Sequence, residues 1–125
     1  IAGNTNARVN VKAVLQDDAV LDFDGMIKIF KGADLSDSYL QQDNLVLSED
    51  VVCNTTPQLE IEANDVKASH GATVGGFNDD DIFYLQSRGL NEKESKTLIA
   101  NGFLEGVFGD KSAEVKEFFK VSTFM

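Results

Sequence analysis

The feature that most constrains this chain is a change of period at Gly75-Gly76. Before it, apolar residues recur at every second position in short runs. Val9, Val11 and Ala13 alternate with Asn10 and Lys12, Leu21 and Phe23 alternate with acids, and Ile27 and Ile29 flank Lys28. Leu59, Ile61 and Ala63 repeat the pattern around Glu60 and Glu62, and residues 66–74 make one more run. Strand side chains point alternately to two faces, so such runs suit half-buried strands. Asp17-Asp18, Asp24-Gly25, Ser48-Glu49-Asp50 and Asn64-Asp65 read as turns between them. Residues 31–38 read as irregular. Six or seven short strands are predicted before residue 76, a pattern open to a sandwich, a barrel or a β-solenoid.

After Gly76 the signals are helical. Asn78 can cap a helix over residues 79–88, with Asp79, Asp80 and Asp81 near the positive end of its dipole. Gly89 is a natural stop. Asn91 and Glu94 have capping-box spacing and open a second helix to about Phe108, on which Leu98, Ile99, Phe103 and Val107 can share a face. A last helix is predicted around residues 112–121, presenting Val115, Phe118 and Phe119. Strands followed by helices indicate an α+β class.

A length of 125 residues allows one domain, or one and part of another. Starting at Ile1 with no charged-then-apolar leader, the chain reads as an excised or processed segment. No apolar run approaches the roughly 18 residues of a membrane helix, so a soluble protein is expected. The formal charge of −10 is concentrated in residues 1–76, with 12 acids against 5 bases. Phosphate backbones need a basic face, so nucleic acid is disfavoured as a partner. One cysteine excludes an internal disulfide and any CxxC metal site.

Few residues carry chemistry by type and spacing. His70 is the only histidine; with no second ligand near it in sequence, it reads as a structural or surface residue. Any metal bound through it would need ligands from another chain. Cys53 reads as a small strand-end core residue and, alternatively, as a thiolate ligand. The Asp79–Asp81 run lacks the alternating ligands of a calcium loop and is read as helix capping. Asp22, Asp24, Glu60 and Glu62 read as a solvated strand face, the alternative being paired acids for glycoside chemistry. The aromatics Phe103, Phe108, Phe118, Phe119 and Phe124 exceed what two short helices bury against each other. Packing on a sheet and a partner surface are both open. There is no P-loop, GxSxG or GxGxxG motif.

Several ordered blocks resemble a known family. Asp65-Val66-Lys67, Ser69-His70-Gly71-Ala72-Thr73 and Phe83-Tyr84-Leu85-Gln86-Ser87-Arg88-Gly89-Leu90 are similar to the C-terminal signature of the SufB/SufD family, scaffold subunits of iron–sulfur cluster assembly. Asn44-Leu45-Val46-Leu47-Ser48 and Pro57-Gln58-Leu59-Glu60-Ile61 extend the likeness, which covers roughly Val9 to Phe108. It implies the last turns of a right-handed parallel β-helix over residues 1–76 and a small α-helical domain over 77–125. It also implies a non-catalytic scaffold that pairs with a SufB-like subunit and docks a SufC-like ATPase through its helices. Phe103, Phe108, Phe118 and Phe119 would then face a partner, and His70 would be an interface ligand for the nascent cluster. No cofactor is expected on this chain alone, the iron–sulfur cluster being transient at the interface.

The cysteine of the cluster-building, SufB-type member falls at Gln42. The carboxylates flanking that member's histidine are replaced here by Ser69 and Gly71, so the likeness is to the SufD type. Cytoplasm, or plastid stroma, is the implied compartment. The alternatives are a β-solenoid module that pairs with its own copy through open strand edges, and a carbohydrate-active solenoid.

Overall fold

The structure, a computed structural model, describes residues 2–108. Five strands come first: β1 (Asn6–Leu15), β2 (Val20–Ile29), β3 (Asp37–Val46), β4 (Val52–Ile61) and β5 (Lys67–Gly75). Two helices follow, α1 (Asp79–Ser87) and α2 (Glu92–Glu105). Consecutive strands do not pair. β1, β3 and β5 form one sheet and β2 and β4 another, with every pairing parallel. Parallel neighbours need a crossover of a dozen residues or more. Here that crossover is the intervening strand of the other sheet with its two turns, as residues 16–36 provide between β1 and β3.

The register fixes which residues share a face. Val9 lies beside Leu40 and Leu40 beside His70; Val11 lies beside Gln42 and Gln42 beside Ala72. In the second sheet Leu21 aligns with Cys53, Phe23 with Thr55, Gly25 with Pro57 and Ile27 with Leu59. These rows face each other. A Cβ at Gly25 would lie 2.9 Å from Leu40 Cδ2 and 2.6 Å from the Phe23 ring. Leu15, Ile29 and Leu40 are buried there, together with the polar Ser38, Gln42 and Asn44. The opposite face of the three-stranded sheet is partly covered by α2, whose Phe103 ring sits 4.5 Å under Lys12 Nζ. Leu45 and Ala100 are buried on this side.

The right-handed parallel β-helix implied by the resemblance is not formed. Among the described residues two separate parallel sheets of three and two strands stand in its place, with no closed solenoid wall. The first two passes of the chain each supply two ten-residue strands and the third supplies the nine-residue β5, and connections of four to seven residues leave no room for a third wall. The strands are also fewer and longer than expected. Asp24-Gly25, read as a turn, lies inside β2, and residues 37 and 38, the end of the stretch read as irregular, open β3. The caps are as read. Asn78 Oδ1 accepts from Asp80 N at 3.0 Å, Gly89 has φ +100°, and Asn91 and Glu94 close a reciprocal capping box at 2.9 and 2.7 Å. The helix expected around 112–121 lies outside the described residues.

Candidate functional site

β5 is the last strand of its sheet and pairs only with β3, so its other edge carries no strand among the described residues. His70 sits in the middle of this edge strand and its side chain is exposed. Alternation places it in the row that faces the second sheet, in register with Leu40. Its row-mates Ala68 and Ala72 are small, so nothing bulky on β5 shields the imidazole. Ser69 and Gly71 flank it on the other face. There a Cβ at Gly71 would come within 2.5 Å of Gln41 Oε1. The glycine leaves space for a polar row in which Tyr39 donates to Gln41, Gln41 donates to Asp43 at 2.6 Å, and Thr73 donates to Asp43 at 2.8 Å. This network fixes β5 against β3 from the side opposite to His70.

His70 stands without a prebuilt ligand set. Among the described residues no group of three or more His, Cys, Asp and Glu side chains converges to hold a metal ion. An exposed imidazole on an edge strand can offer one nitrogen to a group held largely by something else. Cys53 is half-buried on the inner row of β4, and burial pushes its thiol pKa up. A protonated thiol is a poor ligand and nucleophile. Gln42 is fully buried, two residues along the inner row from Leu40.

The acids considered for glycoside chemistry are engaged along the outer face of the two-stranded sheet. Asp22 accepts from Asn54 Nδ2 and Asp24 from Gln58 Nε2, both at 2.7 Å. Lys28 Nζ bridges Glu60 at 2.5 Å and Glu62 at 3.3 Å. These contacts link neighbouring strands and leave no pair of carboxylates facing a common cleft.

Of the four aromatics expected at a partner surface, Phe103 and Phe108 are half-buried. Phe118 and Phe119 lie outside the described residues. More exposed are Phe83 (72%) and Tyr84 (56%) on α1, and Leu98 (51%) on α2. Reading α1 only through its cap and stop signals passed over this pair. The signal that finds it is the run Ile82-Phe83-Tyr84-Leu85: four consecutive large side chains sweep about 300° around a helix, so they cannot all face the body. No helix among the described residues is long and apolar enough to cross a membrane.

Comparison with known proteins gives a consistent result. The family profile described as "SUF system FeS cluster assembly, SufBD core domain" matches residues 1–103. The iron–sulfur cluster assembly protein SufD of Escherichia coli is 40% identical over 101 residues, covering 81% of this chain and 24% of that protein. A SufBD family protein of Synechocystis is 38% identical over 92 residues, covering 74% of this chain and 20% of the relative. One from Mycobacterium bovis is 32% identical over 107 residues, 86% of this chain and 13% of the relative. The chain therefore spans about a quarter or less of the length of these relatives.

Proposed function

The chain belongs to the SufBD core-domain family of the SUF iron–sulfur cluster assembly system, and from that premise we propose that it is part of a non-catalytic SufD-type scaffold subunit. In this reading the subunit pairs with a SufB-like subunit and docks a SufC-like ATPase. His70 lends one nitrogen to a nascent cluster that is cargo at the shared interface. The observation that carries it is the placement of His70: exposed, central on an edge strand, and outside any group of three or more metal-ligating side chains among the described residues. A resident metal site would enclose its ion with three or four donors. A single exposed donor on an edge strand suits a ligand sphere completed by a second protein.

Several features support the scaffold role. Asp22, Asp24, Glu60 and Glu62 are engaged in cross-strand contacts, burial pushes the Cys53 thiol pKa up, and the sequence has no P-loop, so chemistry driven by ATP is assigned to the ATPase partner. In this reading the work is cytoplasmic, or stromal in the plastid of a eukaryote, as the family resemblance implies.

The test uses the full-length protein with its SufB-like and SufC-like partners under anaerobic conditions. His70→Ala should leave the melting midpoint unchanged, because the side chain is exposed and substitutions at such sites usually stay within about 0.5 kcal/mol. It should slow cluster formation, followed by iron–sulfur absorbance. A normal rate with an intact complex would remove His70 from the ligand sphere. Failure of the complex to form with either variant or wild type, the chain being folded, would favour pairing with its own copy through the open edges.

A further inference from the structure

α2 ends without a cation of its own. Its first turn carries Glu92 and Glu94, as the positive end of a helix dipole favours, but its last turn holds no basic residue and does hold Glu105. The negative end is left for another element to neutralise. Lys12 on β1 is placed to do so. Register sets it beside Asp43, whose carboxylate accepts from Gln41 and Thr73. The Lys12 ammonium reaches α2 instead and lies 4.5 Å from the centre of the Phe103 ring.

The same ammonium meets Gly106, the cap residue of α2 three positions on. A Cβ at Gly106 would lie 2.9 Å from Lys12 Nζ. This residue is not a glycine for its backbone: φ −60° and ψ −15° are right-handed helical values open to any residue. What the glycine supplies is room for a cation against the end of the helix.

We propose that Lys12 is the C-terminal charge cap of α2, a latch from β1 that fastens the helix pair to the three-stranded sheet, and that Gly106 is a glycine because the ammonium occupies its side-chain space. Two attractions act on the one charge, the face of the Phe103 ring and the negative end of the helix. α1 buries no residue of its own, so the attitude of Phe83 and Tyr84 follows that of α2. Lys12 is thus a positioning residue for the exposed aromatic face, whichever partner meets it.

The full-length protein tests this by hydrogen exchange, followed in the peptide covering residues 100–108. There the Gly106, Val107 and Phe108 N–H groups donate to the carbonyls of Gly102, Leu104 and Glu105. Lys12→Met keeps the aliphatic stem and loses the charge, and it should speed exchange in this peptide about fivefold while β3 exchanges as before. Lys12→Arg keeps a cation and should retain the protection. Gly106→Ala should change sign with the background. With Lys12 present it displaces the ammonium and speeds exchange, whereas with Lys12→Met it slows exchange, because alanine favours a helix. The proposal is overturned if Lys12→Met leaves the peptide unchanged or speeds β3 equally, or if Lys12→Arg loses as much protection as Lys12→Met. It is overturned also if Gly106→Ala slows exchange by the same factor in both backgrounds.

Discussion

Leu35 shows how one residue can oppose its own backbone. It has φ +62° with its side chain 62% exposed, so a branched residue occupies the left-handed region with little burial in return. Register sets it level with Asn4, which has φ +55° one layer away, and asparagine tolerates this conformation better. The Leu35 N–H donates to the Asp65 carbonyl, so the turn is held by the layer beneath it. Leu35→Asn should therefore stabilise the protein by about 0.5–1 kcal/mol, a fraction of the roughly 1–2 kcal/mol left-handed penalty, measured by urea denaturation. Nearby, Arg8 Nη1 lies 2.9 Å from Asp37 Oδ1 and its hydrogen bond holds the Asp37 carboxyl below its ordinary value near 3.8. A depressed acid contributes stability that is full above the unfolded pKa and is lost as pH falls through the folded one. The midpoint gap between wild type and Asp37→Asn should thus be present at neutral pH and close as pH drops below about 3.8. Both ends are exposed, so 1 M salt should narrow it even at neutral pH.

At the scale of elements, what could be read from sequence depended on whether local chemistry had a single use. Caps do: an Asn followed three residues later by Glu, before an apolar run, has little other reason to occur, and the α2 capping box formed as read. Asn91→Ala should cost about 1 kcal/mol, seen as faster hydrogen exchange in the first turn of α2. Glycine has several uses. Gly25 follows Asp24 and looks like a turn, but it lies in β2 because Leu40 and the Phe23 ring occupy the space of a side chain. Gly25→Ala should destabilise by about 1–3 kcal/mol through this overpacking, whereas Gly32→Ala would meet no atom and be opposed only by its φ of +85°. β3 was hidden for a related reason. Its inner row carries Ser38, Gln42 and Asn44, so both faces of Asp37–Val46 are polar and the alternation that reveals a strand is absent. His70 was legible as a residue but not as a position. Only the parallel register shows it on an edge strand, level with Leu40 and turned toward the second sheet.

For the whole molecule, the question is which surface meets which partner. The two sheets leave strand edges, and the helices leave Phe83, Tyr84 and Leu98 exposed on a chain of net charge −10. An aromatic pair held out on a short helix is the usual form of an interface anchor, since Phe and Tyr bury large areas with few rotatable bonds. Arg88 lies 5.3 Å from the Tyr84 ring, giving the patch a cationic rim in an otherwise acidic chain. If the ATPase docks through the helices, the exposed face of α1 is a second surface it would meet besides the expected Phe103 and Phe108, and the β5 edge is left for the SufB-like subunit. The two contacts should then separate by mutation. Phe83→Ser should weaken capture of the ATPase by at least about tenfold, or about 1.4 kcal/mol, and leave pairing with the SufB-like subunit and the melting midpoint as they were. His70→Ala should do the reverse of this in function, sparing ATPase capture and slowing cluster formation. If Phe83→Ser leaves ATPase capture intact, the docking face is not α1. The half-buried Phe103, tied to Lys12, would then be doing what its position over β1 already suggests, which is to hold the helices to the sheet.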